Sequence, residues 1–146
     1  MAITSPAALH RLSESDLRVG HPDEDVRGYK VVDRDGRDVG LVDDLMIDDR
    51  DSKVRFLRVG IGGVIGLGTT MLLIPVDAVT KVEHEVVHID QTTDHVANGP
   101  GYDPELVNDE GYLGRVYAHY GSKSYWSESY LYPLFPWYMA SRSGGR

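Results

Sequence analysis

The sequence contains no cysteine. That excludes disulfides, thiol nucleophiles and cysteine-ligated metals, and it fits a reducing compartment. No apolar run approaches the roughly 18 residues that a membrane-spanning helix needs, and the N-terminus lacks the basic-then-apolar order of a secretory signal. The expectation is a soluble, cytoplasmic chain without a transmembrane segment. Surplus positive charge is missing too. The formal net charge is −8, and no part reverses it: residues 1–23 hold two basic and three acidic side chains, residues 24–90 nine and fourteen, residues 91–146 four and six. A nucleic-acid binder normally gathers basic residues to neutralise phosphates. Here Arg27, Arg34, Arg37, Arg55 and Arg58 are interleaved with carboxylates, so no nucleic-acid partner is expected. Signatures of nucleophilic catalysis are lacking as well, with no G-x-S-x-G and no persuasive serine, histidine and carboxylate arrangement. No catalytic residue and no cofactor is expected.

What the chain does have is a series of short β-rich runs. Val26 to Val32 and Val39 to Ile47 flank Asp35-Gly36, a dipeptide that suits a tight I′ hairpin turn because both central residues must tolerate positive φ. Val54 to Ile61 follows the polar stretch Asp48 to Lys53. Then come Met71 to Pro75 and Val86 to Ile89. Such spacing reads as a small all-β barrel or sandwich. Alternation is interrupted, and bulges are expected near Val42-Asp43 and Phe56-Leu57. The expected core includes Val31, Leu41, Leu45, Leu57, Val59, Leu73, Val87 and Ile89. Three parts follow: a loosely packed lead-in (1–23), the barrel (24–90) and a C-terminal extension (91–146). In the last, Leu113, Val116, Tyr117 and Tyr120 share one face of a helix over about 109–120, with Asn108 or Asp109 to cap it and Gly121 to end it.

The order of these pieces resembles the PRC-barrel family over roughly residues 24–106. The matching stretches are Val26-Arg-Gly-Tyr, the hairpin Asp35-Gly36 leading to Val39-Gly40, Val42-Asp-Asp-Leu, Val54-Arg-Phe-Leu-Arg-Val, Leu73-Ile-Pro-Val-Asp-Ala-Val, Val86-Val-His-Ile-Asp, and Asp94 to Pro104. The family includes the cytoplasmic barrel of the photosynthetic reaction-centre H subunit and the C-terminal barrel of the ribosome-maturation factor RimM. The resemblance implies a mainly β fold, a small PRC-type barrel carrying a short C-terminal helix and an aromatic-rich extension. It also implies an adaptor rather than a catalyst. With no membrane helix before the barrel and no room for an additional N-terminal domain, the free-standing, stress-associated type is the nearest counterpart. The first functional expectation is therefore a non-enzymatic protein-interaction barrel that self-associates, as a homodimer. A reaction-centre-like role in electron and proton transfer is the alternative, and a small metal-dependent or hydrolytic enzyme is the third.

Three motifs carry bland readings more easily than chemical ones. His84-Glu-Val-Val-His88 fits the zinc-protease pattern only on a helix, whereas its valines favour a strand, where residues four apart stand about 13 Å apart. No metal site is expected there. The acidic set Asp43, Asp44, Asp48, Asp49 and Asp51 could hold a cation weakly, but suits a solvated edge better. The loop Gly60 to Thr70 holds five of the sixteen glycines and lacks the lysine of a phosphate loop. Its Val64, Ile65 and Leu67 are candidates for a contact surface.

Aromatics are concentrated late: ten of the thirteen lie within residues 112–138, and Pro133 and Pro136 break any helix there. Tyr125, Trp126, Tyr130, Phe135 and Trp137 complete the candidate interaction surface. Such a tail must be buried somewhere: as a strap on its own barrel, as an arm in a dimer, or on a partner. A membrane surface is disfavoured, since only Lys123 and Arg142 flank the segment.

Overall fold

The computed structural model describes residues 8–61 and 70–136. Seven strands form one mixed sheet: β1 (Leu9–Arg11), β2 (Lys30–Val32), β3 (Asp38–Asp48), β4 (Val54–Ile61), β5 (Thr70–Pro75), β6 (Val79–Glu83) and β7 (Val86–Ile89). Their order is β5-β4-β3-β2-β7-β6, with β1 also pairing β3. All ladders are antiparallel except β2 with β7. Two short helices follow, α1 (Thr93–Ala97) and α2 (Glu110–His119). No helix among the described residues is long and apolar enough to cross a membrane.

The sheet does not close into the expected barrel. Among the described residues no ladder joins β5 to β6, which stand at its two ends. Pro75 and a one-turn 3-10 helix, Val76–Ala78, carry the chain around a corner between them, so β6 turns away to pair with β7. Proline suits the end of a strand because it offers no N–H to a further ladder. The free side of β5 is covered locally instead: Leu72 bridges Gly101, and Tyr102 N donates to Met71 O at 2.8 Å.

β3 is the longest strand and the most irregular. Val39 is an extra residue against β2, and Asp43 is an extra residue against β4. Each insertion shifts which face the following residues occupy. Leu41 lies between them and points outward, 54% exposed, while Val39 and Val42 are buried. The expectation of a buried Leu41 fails for that reason. The other seven expected core residues are buried. The bulge expected at Val42-Asp43 is present, and the one expected at Phe56-Leu57 falls one residue earlier, at Arg55. Gly40 allows the close approach of β3 to β4, since a Cβ there would lie 2.0 Å from Gly60 O.

The hairpin turns exchange roles. At Asp33–Arg37 only Gly36 has positive φ. Gly36 N donates to Asp33 O and Asp33 N to Arg37 O, so this is a turn with a glycine bulge rather than type I′. The two-residue turn with both φ values positive is His84-Glu85, at 54° and 61°. The His84–His88 segment is thus a turn followed by β7, not the continuous strand expected, and not a helix.

The lead-in is also tighter than expected. β1 pairs with β3 from Leu9↔Asp48 to Arg11↔Met46, and Leu9 and Leu12 are buried. Arg11 Nε donates to Asp44 at 2.9 Å, Ser13 N and Oγ donate to the same carboxylate, and Leu9 N donates to Asn108 Oδ1 at 2.8 Å. Buried backbone and carboxylate groups need such partners, and here they lie far apart in sequence. α2 matches its expected range. Asp109 caps it by accepting from Tyr112 N at 2.9 Å, and Gly121, at φ 72°, follows its end. α1, capped by Thr92, is a helix that the sequence reading did not expect.

Candidate interaction surface

The site grows from the bulge in β4. It turns Arg55 inward, where the side chain is only 6% exposed. A buried guanidinium must be paired, and Nε donates to Asp48 Oδ2 at 2.7 Å while Nη2 meets Asp51 Oδ2 at 3.3 Å. Burial acts to lower the Arg55 pKa, but the Asp48 carboxylate outweighs it and the pKa is raised. Asp48 in turn accepts from the backbone N–H groups of Arg50 and Asp51, which close the turn before β4.

Over this ion pair runs the aromatic tail. The guanidinium carbon lies 4.6 Å from the Tyr125 ring centre, 5.5 Å from that of Tyr132 and 5.8 Å from that of Tyr130. A cation held against ring faces gains from their quadrupoles, most of all when desolvated. Lys53 adds a second cation, 4.8 Å from Tyr132. The hydroxyls are pinned as well: Tyr132 donates to Val54 O at 3.0 Å and Tyr130 to Asp77 Oδ1 at 3.3 Å. Burial pushes Tyr125 up to about 12 and raises Tyr130; it raises Asp77 also, against the opposing Tyr130 bond. Beneath them Tyr117 packs on Phe56 with ring centres 4.9 Å apart, and Trp126 stands edge-on to Tyr117. Through residue 136, therefore, the tail straps its own sheet.

This placement revises the candidate surface. Tyr125, Trp126 and Tyr130 are half-buried against the sheet. Phe135, expected at the surface, is 1% exposed and belongs to the core. Val64, Ile65, Leu67 and Trp137 lie outside the described residues. What the strap shows outward is Leu131, 85% exposed, and Leu134, 68% exposed. The sequence reading treated the whole tail alike and missed this division. The alternation of Tyr130, Tyr132 and Phe135 with leucines is the signal that carried it.

The acidic run expected to form an open edge is broken up by basic side chains. Asp43 pairs with Arg58, Asp44 with Arg11, Asp48 and Asp51 with Arg55, and Asp49 with His10. Arg27 is held by Asp25 at 2.6 Å. Among the described residues no group of three or more histidine or carboxylate side chains is arranged to hold a metal ion.

With this geometry in view, the sequence matches the profile of the PRC-barrel domain over residues 20–96, more than half of its 146 residues. The chain belongs to the PRC-barrel domain family. The match takes in β2 to β7 and most of α1, so the PRC-barrel region ends before α2 and the strap. Among curated proteins none matches the chain. The surface at Leu131 and Leu134 lies outside the matched residues.

Proposed function

We propose that this PRC-barrel protein is a non-enzymatic interaction module that associates with a second copy through the outer face of its strap. The observation that carries this is the division within one segment: its aromatics turn in while Leu131 and Leu134 turn out. Large apolar side chains shown together mark contact surfaces more often than isolated ones do. A second copy suits the surface because the described strap, residues 122–136, contains only one lysine and one glutamate. Two chains of net charge −8 can meet there without bringing like charges face to face. The carboxylates and guanidinium groups near β3 and β4 are meanwhile engaged with one another, which favours binding over catalysis.

Light scattering on the parent chain and on L131E/L134E tests this. The expected result is a dimer that becomes a monomer in the variant, with the melting temperature of the isolated subunit unchanged. A parent that stays monomeric at high concentration, or a variant that stays dimeric, overturns it.

A further inference from the structure

Away from the strap, α1 and α2 are joined by a pair of histidines. The rings of His95 and His119 are stacked, with centres 3.9 Å apart and planes 6° from parallel. Each reaches the other's backbone: His95 Nε2 lies 2.7 Å from His119 O, and His119 Nε2 lies 2.6 Å from His95 O. A carbonyl only accepts, so both rings carry their proton on Nε2. Tyr120 closes the arrangement edge-on to both rings. Gly99 lies beneath, where a Cβ would come within 3.0 Å of the His119 ring.

The contact does more than join two helices. The chain running on from α1 covers the free side of β5 through the Leu72–Gly101 bridge and the Tyr102 to Met71 hydrogen bond, and Tyr112 OH on α2 donates to Gly101 O at 2.6 Å. The histidine pair holds the start of this cover to α2.

We infer that the His95–His119 pair is an acid-opened clasp, closed while at least one ring is neutral and released when both are protonated, loosening the cover over β5. One added proton is compatible with the geometry. It sits on Nδ1, leaves both Nε2–H donors in place, and strengthens a bond to a carbonyl at a helix C-terminal end. A second proton places two cations face to face with ring centres 3.9 Å apart, and like charges that close repel even at a surface where His95 is exposed and His119 half-buried. The charged neighbours do not relieve this. Asp94 follows the α1 cap and Arg115 stands one turn before His119, with its guanidinium by the Tyr112 ring; Lys123, beyond α2, donates to Ser129. Among the described residues the histidine ion pairs are His10–Asp49 and His21–Asp23, so neither ring of the clasp has a carboxylate to share its charge.

Hydrogen exchange of the full chain at about pH 7.5 and about pH 5, corrected for intrinsic rates, tests the clasp. The amides of Asn98 and Gly99, which bond back into α1, and of Tyr102 should lose protection by about tenfold or more at the lower pH. The variant H95Q, which keeps an N–H donor without the charge, should retain it, as should H119Q. Should either variant fold poorly, the parent alone decides: the ring-to-ring NOE between His95 and His119 must be present at the higher pH and vanish at the lower. Equal protection at both pH values, a loss that persists in both variants, or an NOE that survives acid overturns the inference.

Discussion

The sheet and the C-terminal extension are stabilised by different means. From β2 to β7 the chain is held by continuous ladders over a core in which Leu45, Ile47, Leu57, Val59 and Ile74 have no exposed surface. From residue 98 to residue 136 there is one helix, and the rest is irregular chain held by side-chain hydroxyls, a guanidinium and a pair of imidazoles. Ladders rest on backbone groups that every residue supplies, so a substitution there acts through packing. The extension rests on particular atoms, so single changes can release it. Arg55 belongs to both regions, since it is the bulge residue of β4 and the platform for three tyrosines.

The sharpest way to break this contrast is Arg55→Ala. It leaves Asp48 buried without its cation, for which a cost of about 3–5 kcal/mol is expected, and it removes the surface on which the strap lies. Trp126 fluorescence should then change at a lower temperature than the far-ultraviolet dichroism of the sheet. Coincident transitions would show that the strap and sheet are one cooperative unit. Leu57→Ala should cost about 2–5 kcal/mol by opening a cavity, but it should lower both transitions together, since Leu57 lies in the core of the sheet and carries none of the strap's polar anchors. A denaturant titration followed by both signals separates the two cases.

The smallest expected effect lies at Asp33, where the regions are joined. Its Oδ1 accepts from the N–H groups of Asp35 and Arg37, and its Oδ2 accepts from Thr93 N at 2.9 Å and Thr93 Oγ1 at 2.7 Å, at the start of α1. Burial alone would raise this carboxyl, but the hydrogen bonds from Arg37, Thr93 and Asp35 bring it down to about 2. A carboxyl depressed in the folded state adds stability above its unfolded value and loses it as pH falls. The contribution of Asp33 should be intact above about pH 4 and disappear by about pH 2. Melting temperatures of Asp33→Asn across that window should fall less steeply than those of the parent.

The legible parts of the fold were those written locally. Asp109, the leucine and tyrosine spacing of α2 and Gly121 define a helix within a dozen residues, and the apolar runs place β3, β4, β5 and β7. The failures depend on distant partners. Nothing near Leu41 shows that Val39 and Asp43 are each one residue too many for the strands opposite. Asp35-Gly36 has the better residues for a I′ turn, yet His84-Glu85 adopts it, because the register of Glu83 with Val86 leaves two residues for the connection. β1 reads as a loose leader until Asp44 and Asn108 are brought beside it. The candidate surface was half legible: the tail's need for burial follows from composition, but Arg55 as its platform depends on a bulge, and the His95–His119 contact joins residues 24 apart in sequence.

The parallel ladder between β2 and β7 has a consequence for the order of synthesis. Lys30, Val31 and Val32 pair on one side with β3, which follows at once, and on the other with Val86, Val87 and His88. While the chain is emerging from the ribosome, that second side stays open until nearly the whole domain has been made. Closing so long a loop costs entropy that only the completed core repays. β6 and β7 therefore act as the final piece of the sheet, and a nascent chain halted before Val86 presents an unpaired strand to any neighbour that can add to it.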